Sequence, residues 1–238
     1  MVSAPASAVG KDRLILALDV PTASEALAWS RRLAAEIGMV KVGLELFVAA
    51  GPSLVRQLGG EGRGVFLDLK LHDIPNTVAG AVRSASGLGV RMLTVHAAGG
   101  PAMLAAAAAA AAKTERPPLL LGVTVLTSLD DSALAVLGIR GPVPERVAAW
   151  ARLCREAGLD GIVCAAAEAA AVRAACGPGF LIVTPGIRPA GAAKQDQARV
   201  ATATEARRAG ADFLVVGRAI TAAADPEAQA RQLAAEAQ

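Results

Sequence analysis

The chain has 238 residues, a length that permits one large α/β domain or two small ones. Because 54% of these residues are hydrophobic, most of the chain can bury a core, which excludes extensive disorder. The net charge of +3 suits a small anionic ligand, whereas the lack of any Tyr and of a dense Lys/Arg run argues against nucleic-acid binding.

The N-terminal segment and the cysteines indicate the cellular compartment. Residues 1–12 have neither a basic start nor an apolar run, so we expect a flexible tail, not a signal peptide, before a single catalytic domain over residues 13–238. The longest apolar stretch, residues 102–112, is mostly Ala and too short to span a membrane. Cys154, Cys164 and Cys176 are not spaced as metal ligands, and we expect them to be buried, reduced thiols of a cytoplasmic protein.

Short apolar runs alternate with helical patterns along the whole chain. The predicted strands cover residues 14–18, 39–42, 64–70, 91–95, 119–125, 161–163, 180–183 and 213–216. The predicted helices cover residues 23–37, 76–88, 101–112, 144–157, 165–175, 197–209 and 226–235. This alternation predicts a parallel α/β protein, either a closed barrel or an open doubly wound sheet. The absence of GxGxxG after the first strand weakens the dinucleotide-binding form of the open sheet.

Polar residues stand at the predicted C-terminal ends of the strands, where barrel proteins have their active sites. Asp68 and Lys70 are two residues apart on the third strand, so alternation places both side chains on the face shared with Phe66. With Lys41 and Asp73 they predict an array of alternating charges, in which a Lys between carboxylates stays protonated and can donate a proton. The alternative is a buried salt-bridge network with a purely structural role.

A phosphate site is predicted after the last two strands. Gly217 allows close approach of the backbone, and Arg218 can pair with phosphate oxygens at the position where barrels commonly hold phosphate. The polar loop over residues 185–197 predicts a mobile lid, with an ordinary surface loop as the alternative. His72 and His96 are expected to be scaffold residues, and the scattered Asp and His residues predict no metal site.

Seven blocks of sequence, in order over nearly the whole chain, carry a resemblance to a known family. They are LALDV (16–20), KVG (41–43), DLKLHDIPNT (68–77), VTVLTS (123–128), TPGIRP (184–189), DQAR (196–199) and VVGRAI (215–220). Together they closely resemble the orotidine 5'-phosphate decarboxylase family in its bacterial form. The DxKxxD core alone is shared with related sugar-phosphate enzymes, whereas its extension IPNT and the other blocks are specific.

The resemblance implies a single (β/α)8 TIM barrel that decarboxylates orotidine 5'-phosphate to UMP and CO2, the last step of de novo pyrimidine nucleotide synthesis. It implies that Lys70 protonates C6 of the pyrimidine and that Asp68 lies beside the departing carboxylate. Lys41 and Asp19 resemble residues of the family's ribose-binding and charge network. No cofactor is implied, and no metal, nucleic-acid or membrane partner.

The resemblance also implies a homodimer with shared active sites. Asp73 resembles the residue that enters the neighbouring subunit's site, with Ile74 and Thr77 nearby. The remaining substrate contacts implied are Thr127 at the pyrimidine and, at the phosphate, Arg188, Gln197, Gly217 and Arg218.

Two other functions remain open at the level of sequence. A Mg²⁺-dependent sugar-phosphate decarboxylase or aldolase of the same barrel group would share the Asp-x-Lys-x-x-Asp pattern and would lose activity in EDTA. A non-catalytic phosphate-binding barrel would be expected to have a broken charge array, whereas all four charged residues of the array are present in this sequence.

Overall fold

The computed structural model describes residues 10–189 and 200–238, in which eight parallel strands close into a barrel in sequential order. The strands are β1 (Leu14–Ala17), β2 (Met39–Val42), β3 (Gly64–Leu71), β4 (Met92–His96), β5 (Leu119–Val123), β6 (Gly161–Val163), β7 (Leu181–Thr184) and β8 (Phe213–Val216). Pairing of β1 with β8 closes the sheet, with Leu14 opposite Leu214. The predicted (β/α)8 barrel is therefore confirmed, and the open sheet is excluded.

The strands are recognisable in the sequence because each is short and mainly apolar, with its charged residues near the C-terminal end. Parallel strands in a barrel are buried on both faces, so they appear as continuous apolar runs without polar alternation. The predicted bounds of β2, β6 and β8 agree with the structure, and the other strands differ by one or two residues at one or both ends.

Helices surround the barrel. They are α1 (Ala23–Arg32), α2 (Leu44–Gly60), α3 (Pro75–Ser86), α4 (Gly100–Ala112), α5 (Asp131–Val136), α6 (Val143–Glu156), α7 (Ala166–Cys176), α8 (Ala203–Arg208), α9 (Arg218–Thr221) and α10 (Pro226–Glu236). The described part of the chain contains no helix that is long and apolar enough to cross a membrane.

Three of these helices lie outside the helix ranges predicted from the sequence. The longest, α2, contains Gly51 at φ 65° followed by Pro52, and this kink interrupts the helical pattern of apolar residues. The other two, α5 and α9, have only six and four residues, too few to show a period. The helix predicted over residues 23–37 ends earlier, at Arg32, and the predicted start of the helix at 197 lies outside the described residues.

Two apolar layers fill the molecule. The inner layer consists of inward-facing strand residues, among them Ile15, Phe66, Met92, Leu121 and Phe213. The outer layer lies between the strands and the helices and contains most of the buried apolar residues of the described chain. The barrel interior is thus packed below its mouth, and the carboxyl ends of the strands are the face where barrel proteins bind their ligands.

The chain before β1 packs against the last helix. Gly10–Arg13 forms a 3-10 helix, and a Cβ atom on Gly10 would collide with the carbonyl oxygen of Ala234 in α10. The expected boundary between a tail and the barrel, after residue 12, falls inside this short helix. Residues 1–9 lie outside the described part of the chain.

Candidate active site at the carboxyl ends of the strands

The end of β3 departs from regular strand geometry where its charged residues stand. Leu67 pairs with Leu93 and Leu71 pairs with Val95, so β3 carries two more residues than β4 over this interval. Lys70 within it has φ 51°, and it is the only non-glycine residue at positive φ in the described ranges. A non-glycine residue in this region costs about 1–2 kcal/mol, so the surrounding contacts must hold it there.

The bulge interrupts the regular alternation from which Asp68 and Lys70 were predicted to share one side of β3, yet their side chains still lie together. Strict period-two geometry predicts that Asp68 and Lys70 point to the same side, yet the strand is irregular between them. Their side chains nevertheless meet, with Lys70 Nζ 2.9 Å from Asp68 Oδ2. Phe66, on the regular part of β3, faces the barrel interior as expected, whereas Leu67 faces the helices.

Four charged side chains form one connected cluster at the mouth of the barrel. Lys41 Nζ lies 3.1 Å from Asp19 Oδ1 and 3.8 Å from Asp68 Oδ2, and Asp68 in turn contacts Lys70. The side chains of Lys41 and Asp68 are only 12% and 13% exposed, so these charges are largely removed from water. Two cations and two anions balance, which lowers the cost of burying them.

Asp73 does not join this cluster. Its carboxylate is exposed and accepts a hydrogen bond of 2.6 Å from the backbone N–H of Ile74. Ile74 is 68% exposed and Thr77 is also exposed, so all three lie on the outer surface at the start of α3. Within the described residues of one chain, the charge cluster therefore consists of Asp19, Lys41, Asp68 and Lys70. The predicted array had Asp73 in the place that Asp19 takes in the structure.

The charged cluster opens into a cavity of about 220 Å³ at the barrel mouth. Its apolar walls include Phe66, Val123, Val163 and Val215, and Thr127 lines it in the loop after β5. A cavity with apolar walls and a few convergent polar groups is the usual form of a small-molecule site. The predicted pyrimidine contact, Thr127, is thus brought to the same cavity as the charges.

Two arginines line the cavity after β7 and β8. Arg218 follows Gly217, where a Cβ atom would lie 3.4 Å from the Cβ of Ala17, so a larger residue would narrow the cavity. Arg188 is 8% exposed, and its backbone N–H donates to the carbonyl of Ala201. Cationic side chains beside a glycine suit a phosphate group. Gln197, the remaining predicted phosphate contact, lies outside the described residues, as does most of the expected lid.

The two histidines stand beside the cavity without lining it. The rings of His72 and His96 stack with centroids 5.2 Å apart, and His96 also meets Trp150 in a T-shaped arrangement. His96 Nδ1 accepts a hydrogen bond from the N–H of Ala98. Burial, and then the nearby His72 and Lys70, lower the pKa of His96 from its ordinary value. These contacts agree with the expected scaffold role.

Thr94 is a site residue that the sequence analysis missed. Its side chain is fully buried on β4 and contacts both Asp68 and the backbone of Lys70. The only signal in the sequence is a hydroxyl residue inside an apolar strand, which is also common at purely structural positions.

Over residues 10–189 and 200–238, no group of three or more His, Cys, Asp or Glu side chains is arranged to hold a metal ion.

The fold and the site together define a class of protein: a (β/α)8 barrel whose mouth holds a cavity lined by a charge cluster and two arginines. Residues 12–233 match the model of the orotidine 5'-phosphate decarboxylase / HUMPS family, and the chain belongs to this family.

Individual relatives agree with this assignment over most of their length. The orotidine 5'-phosphate decarboxylase of Moorella thermoacetica is 58% identical over 232 residues, which cover 95% of this chain and 92% of that protein. The protein of the same name from Anaeromyxobacter sp. strain K is 58% identical over 94% of this chain and 97% of its own. The crystal structure of orotidine 5'-phosphate decarboxylase from Lactobacillus acidophilus superposes with a TM-score of 0.82 at 35% identity, covering 94% of this chain and 98% of that one.

Proposed function

We propose that this chain decarboxylates orotidine 5'-phosphate to UMP and CO2, and is thus a carbon–carbon lyase of pyrimidine nucleotide synthesis. The observation that carries the proposal is the cluster of Lys41, Asp68 and Lys70 in a cavity that also holds Arg188 and Arg218. The family assignment and the names of relatives that are 58% identical support it.

Lys70 supplies the cation that the reaction needs. When the C6–carboxylate bond breaks, the electron pair stays on C6 in an sp2 orbital that is not conjugated with the ring. An ammonium group placed beforehand stabilises this charge without reorganisation, and it is already held by Asp68 at 2.9 Å. Its proton then moves to C6 to give UMP, and solvent returns a proton to the amine.

Asp68 serves two purposes in the proposed reaction. Its carboxylate holds Lys70 and contacts Lys41, and it lies close to the place where the substrate carboxylate would stand. Two neighbouring carboxylates repel each other, and this repulsion falls as CO2 departs, so the ground state is raised relative to the transition state. Lys41 with Asp19 would hold the ribose hydroxyls beside the cluster.

The phosphate provides binding energy away from the reacting carbon. Arg188, Gln197, Gly217 and Arg218 are the proposed phosphate contacts, and Thr127 is the proposed pyrimidine contact. Because β8 and β3 are separated by β1 and β2, a substrate that reaches both Arg218 and Lys70 spans the cavity mouth. Binding energy at the phosphate can therefore align C6 with Lys70.

We further propose a homodimer in which Asp73 of one chain completes the site of its partner, with Ile74 and Thr77 beside it. The position of Asp73 on the outer surface supports this, because its carboxylate is exposed and has no ion pair with Lys70 of its own chain.

The cytoplasm is the proposed compartment, which suits the three buried free thiols.

Mixing two inactive variants tests the shared site. Lys70→Ala and Asp73→Ala chains, unfolded together and refolded, should regain up to about a quarter of wild-type activity, since half of the dimers are mixed and each has one intact site. Each variant refolded alone is the control. No gain on mixing, with dimers present, would contradict the shared site.

The proposed reaction is tested by the loss of orotidine 5'-phosphate absorbance on adding purified protein, with and without EDTA. Equal rates in both conditions are expected. Activity that EDTA abolishes would favour the Mg²⁺-dependent sugar-phosphate enzyme, and binding of the nucleotide without turnover would favour the non-catalytic barrel.

A further inference from the structure

We infer that Thr94 is a positioning residue for the proposed decarboxylation, whose hydroxyl fixes both the carboxylate of Asp68 and the backbone of Lys70. The inference rests on the proposed function, because it assigns Thr94 a part in that reaction.

The hydroxyl of Thr94 makes one hydrogen bond in each direction. Lys70 N–H donates to Thr94 Oγ1 at 2.8 Å, and Thr94 Oγ1 donates to Asp68 Oδ1 at 3.0 Å. An ionised carboxylate can only accept and a backbone N–H can only donate, so the direction of both bonds is determined. Thr94 is fully buried, and water therefore cannot replace it without a rearrangement of β4.

The bond to Lys70 stabilises the bulge at the end of β3. Between Leu67 and Leu71 the register with β4 is shifted, and Lys70 adopts φ 51°. A buried N–H without a partner costs about 1–3 kcal/mol, on top of the cost of a left-handed non-glycine residue. The Thr94 hydroxyl accepts this N–H, and it thereby stabilises the backbone conformation from which the Lys70 side chain projects.

The bond to Asp68 orients the carboxylate. Both lysines of the cluster approach Oδ2, Lys70 at 2.9 Å and Lys41 at 3.8 Å, whereas Thr94 contacts Oδ1. The carboxylate is thus held from both sides, and its plane is fixed. Without the hydroxyl, the carboxylate can rotate about its χ2 angle and take the Lys70 ammonium with it.

Thr94 stands far from the predicted phosphate contacts. It lies on β4, and Arg218 follows β8, on the opposite side of an eight-stranded barrel closed in sequential order. Loss of the hydroxyl should therefore disturb the reacting end of the site and leave phosphate binding unchanged. A displacement of about 1 Å at reacting groups can cost about 10²-fold in rate.

The test compares Thr94→Val, which keeps the shape and removes the hydroxyl, with Thr94→Ser, which keeps the hydroxyl. Thr124→Val is the matched control, because Thr124 is also fully buried and its hydroxyl donates to the Val163 carbonyl at 2.9 Å, away from the charge cluster. For each variant we would measure kcat and KM for orotidine 5'-phosphate, the inhibition constant of UMP and the thermal midpoint.

Thr94→Val is expected to lower kcat by about 10- to 100-fold, with KM and the UMP inhibition constant within about threefold of wild type. Thr94→Ser and Thr124→Val should both keep kcat within about threefold, although Thr124→Val loses thermal stability as Thr94→Val does. If Thr94→Val does not fold, Thr94→Ala provides the same comparison without the added apolar methyl.

Three results would overturn the inference while wild-type protein is active: an unchanged kcat in Thr94→Val, an equal loss of kcat in Thr124→Val, or a loss in Thr94→Ser as large as in Thr94→Val. An inactive wild-type protein would instead overturn the proposed function, and the inference with it.

Discussion

Replacement of Lys70 by Ala tests the proposed chemistry most directly. The change removes the ammonium group that contacts Asp68 at 2.9 Å. Residue 70 still carries a Cβ atom at a φ of 51°, so the backbone strain is the same in both proteins. Asp68 keeps Lys41 as a neighbouring cation at 3.8 Å. The variant should therefore fold, and its loss of activity can be assigned to the missing ammonium.

The expected loss of activity has two parts. A unit cation roughly 4 Å from a developing carbanion, at an effective dielectric constant of about 20, contributes about 4 kcal/mol, which corresponds to about 10³-fold in rate. Loss of the positioned proton donor adds about 10²- to 10⁴-fold. We therefore expect kcat to fall by at least about 10⁵-fold.

The assay follows the loss of orotidine 5'-phosphate absorbance with high concentrations of Lys70→Ala, so that slow turnover can be detected. Lys113→Ala, which removes an exposed lysine at the end of α4, is the control for purification and charge. Circular dichroism and UMP binding would show that the fold and the phosphate site are intact. A folded Lys70→Ala protein that kept more than about 1% of wild-type kcat would refute the assigned role.

The phosphate site, the backbone at Lys70 and the partly buried His96 can each be tested separately. Arg218→Ala should lower kcat/KM for orotidine 5'-phosphate by about 10²-fold, as expected for the loss of roughly 3 kcal/mol of charge-assisted hydrogen bonding. Slow turnover of orotidine, which lacks the phosphate, should be unaffected. An unchanged kcat/KM for orotidine 5'-phosphate would contradict the phosphate assignment. Lys70→Gly should unfold at a higher temperature than Lys70→Ala, because glycine adopts positive φ without the cost of about 1 kcal/mol. Burial lowers the pKa of His96 below its ordinary 6.5, so that below this pH the unfolded chain binds a proton that the folded chain does not. Stability should therefore decrease from pH 7 to pH 5, and His96→Gln should weaken this dependence in thermal unfolding.

Strand β3 combines features that its sequence predicts with features that depend on the fold. Its apolar run predicted the strand, and the charged pair at its end predicted the site, because both signals are local. Period-two alternation, however, does not describe the bulge from Leu67 to Leu71. The Lys70–Asp68 contact lies within this bulge, and Thr94 forms a hydrogen bond with each of the two residues. Neither feature can be read from the spacing of two residues.

Among the helices too, local sequence patterns predicted some elements, whereas tertiary packing determined another. The sequence predicted α3, α4, α6, α7 and α10 within one or two residues, since each has a continuous helical pattern. It missed α2, in which Gly51 and Pro52 are local signals for a break, yet Leu46, Leu54 and Leu58 are buried against the barrel and hold the kinked helix together. Packing in the folded chain overrides local propensity there.

By itself, the sequence determined the family, the order of the strands and of most helices, and most of the charged residues that line the cavity, because motifs and apolar runs are properties of neighbouring residues. Only the tertiary structure decided that the sheet closes between β1 and β8, that Asp19 completes the charge cluster, and that Asp73 stands outside it. These are contacts between distant parts of the chain, and their distances depend on how the strands pair and where one of them bulges. Asp68 and Lys70 were evident in the sequence, but the Thr94 hydroxyl that orients them became visible only when β3 and β4 were placed side by side.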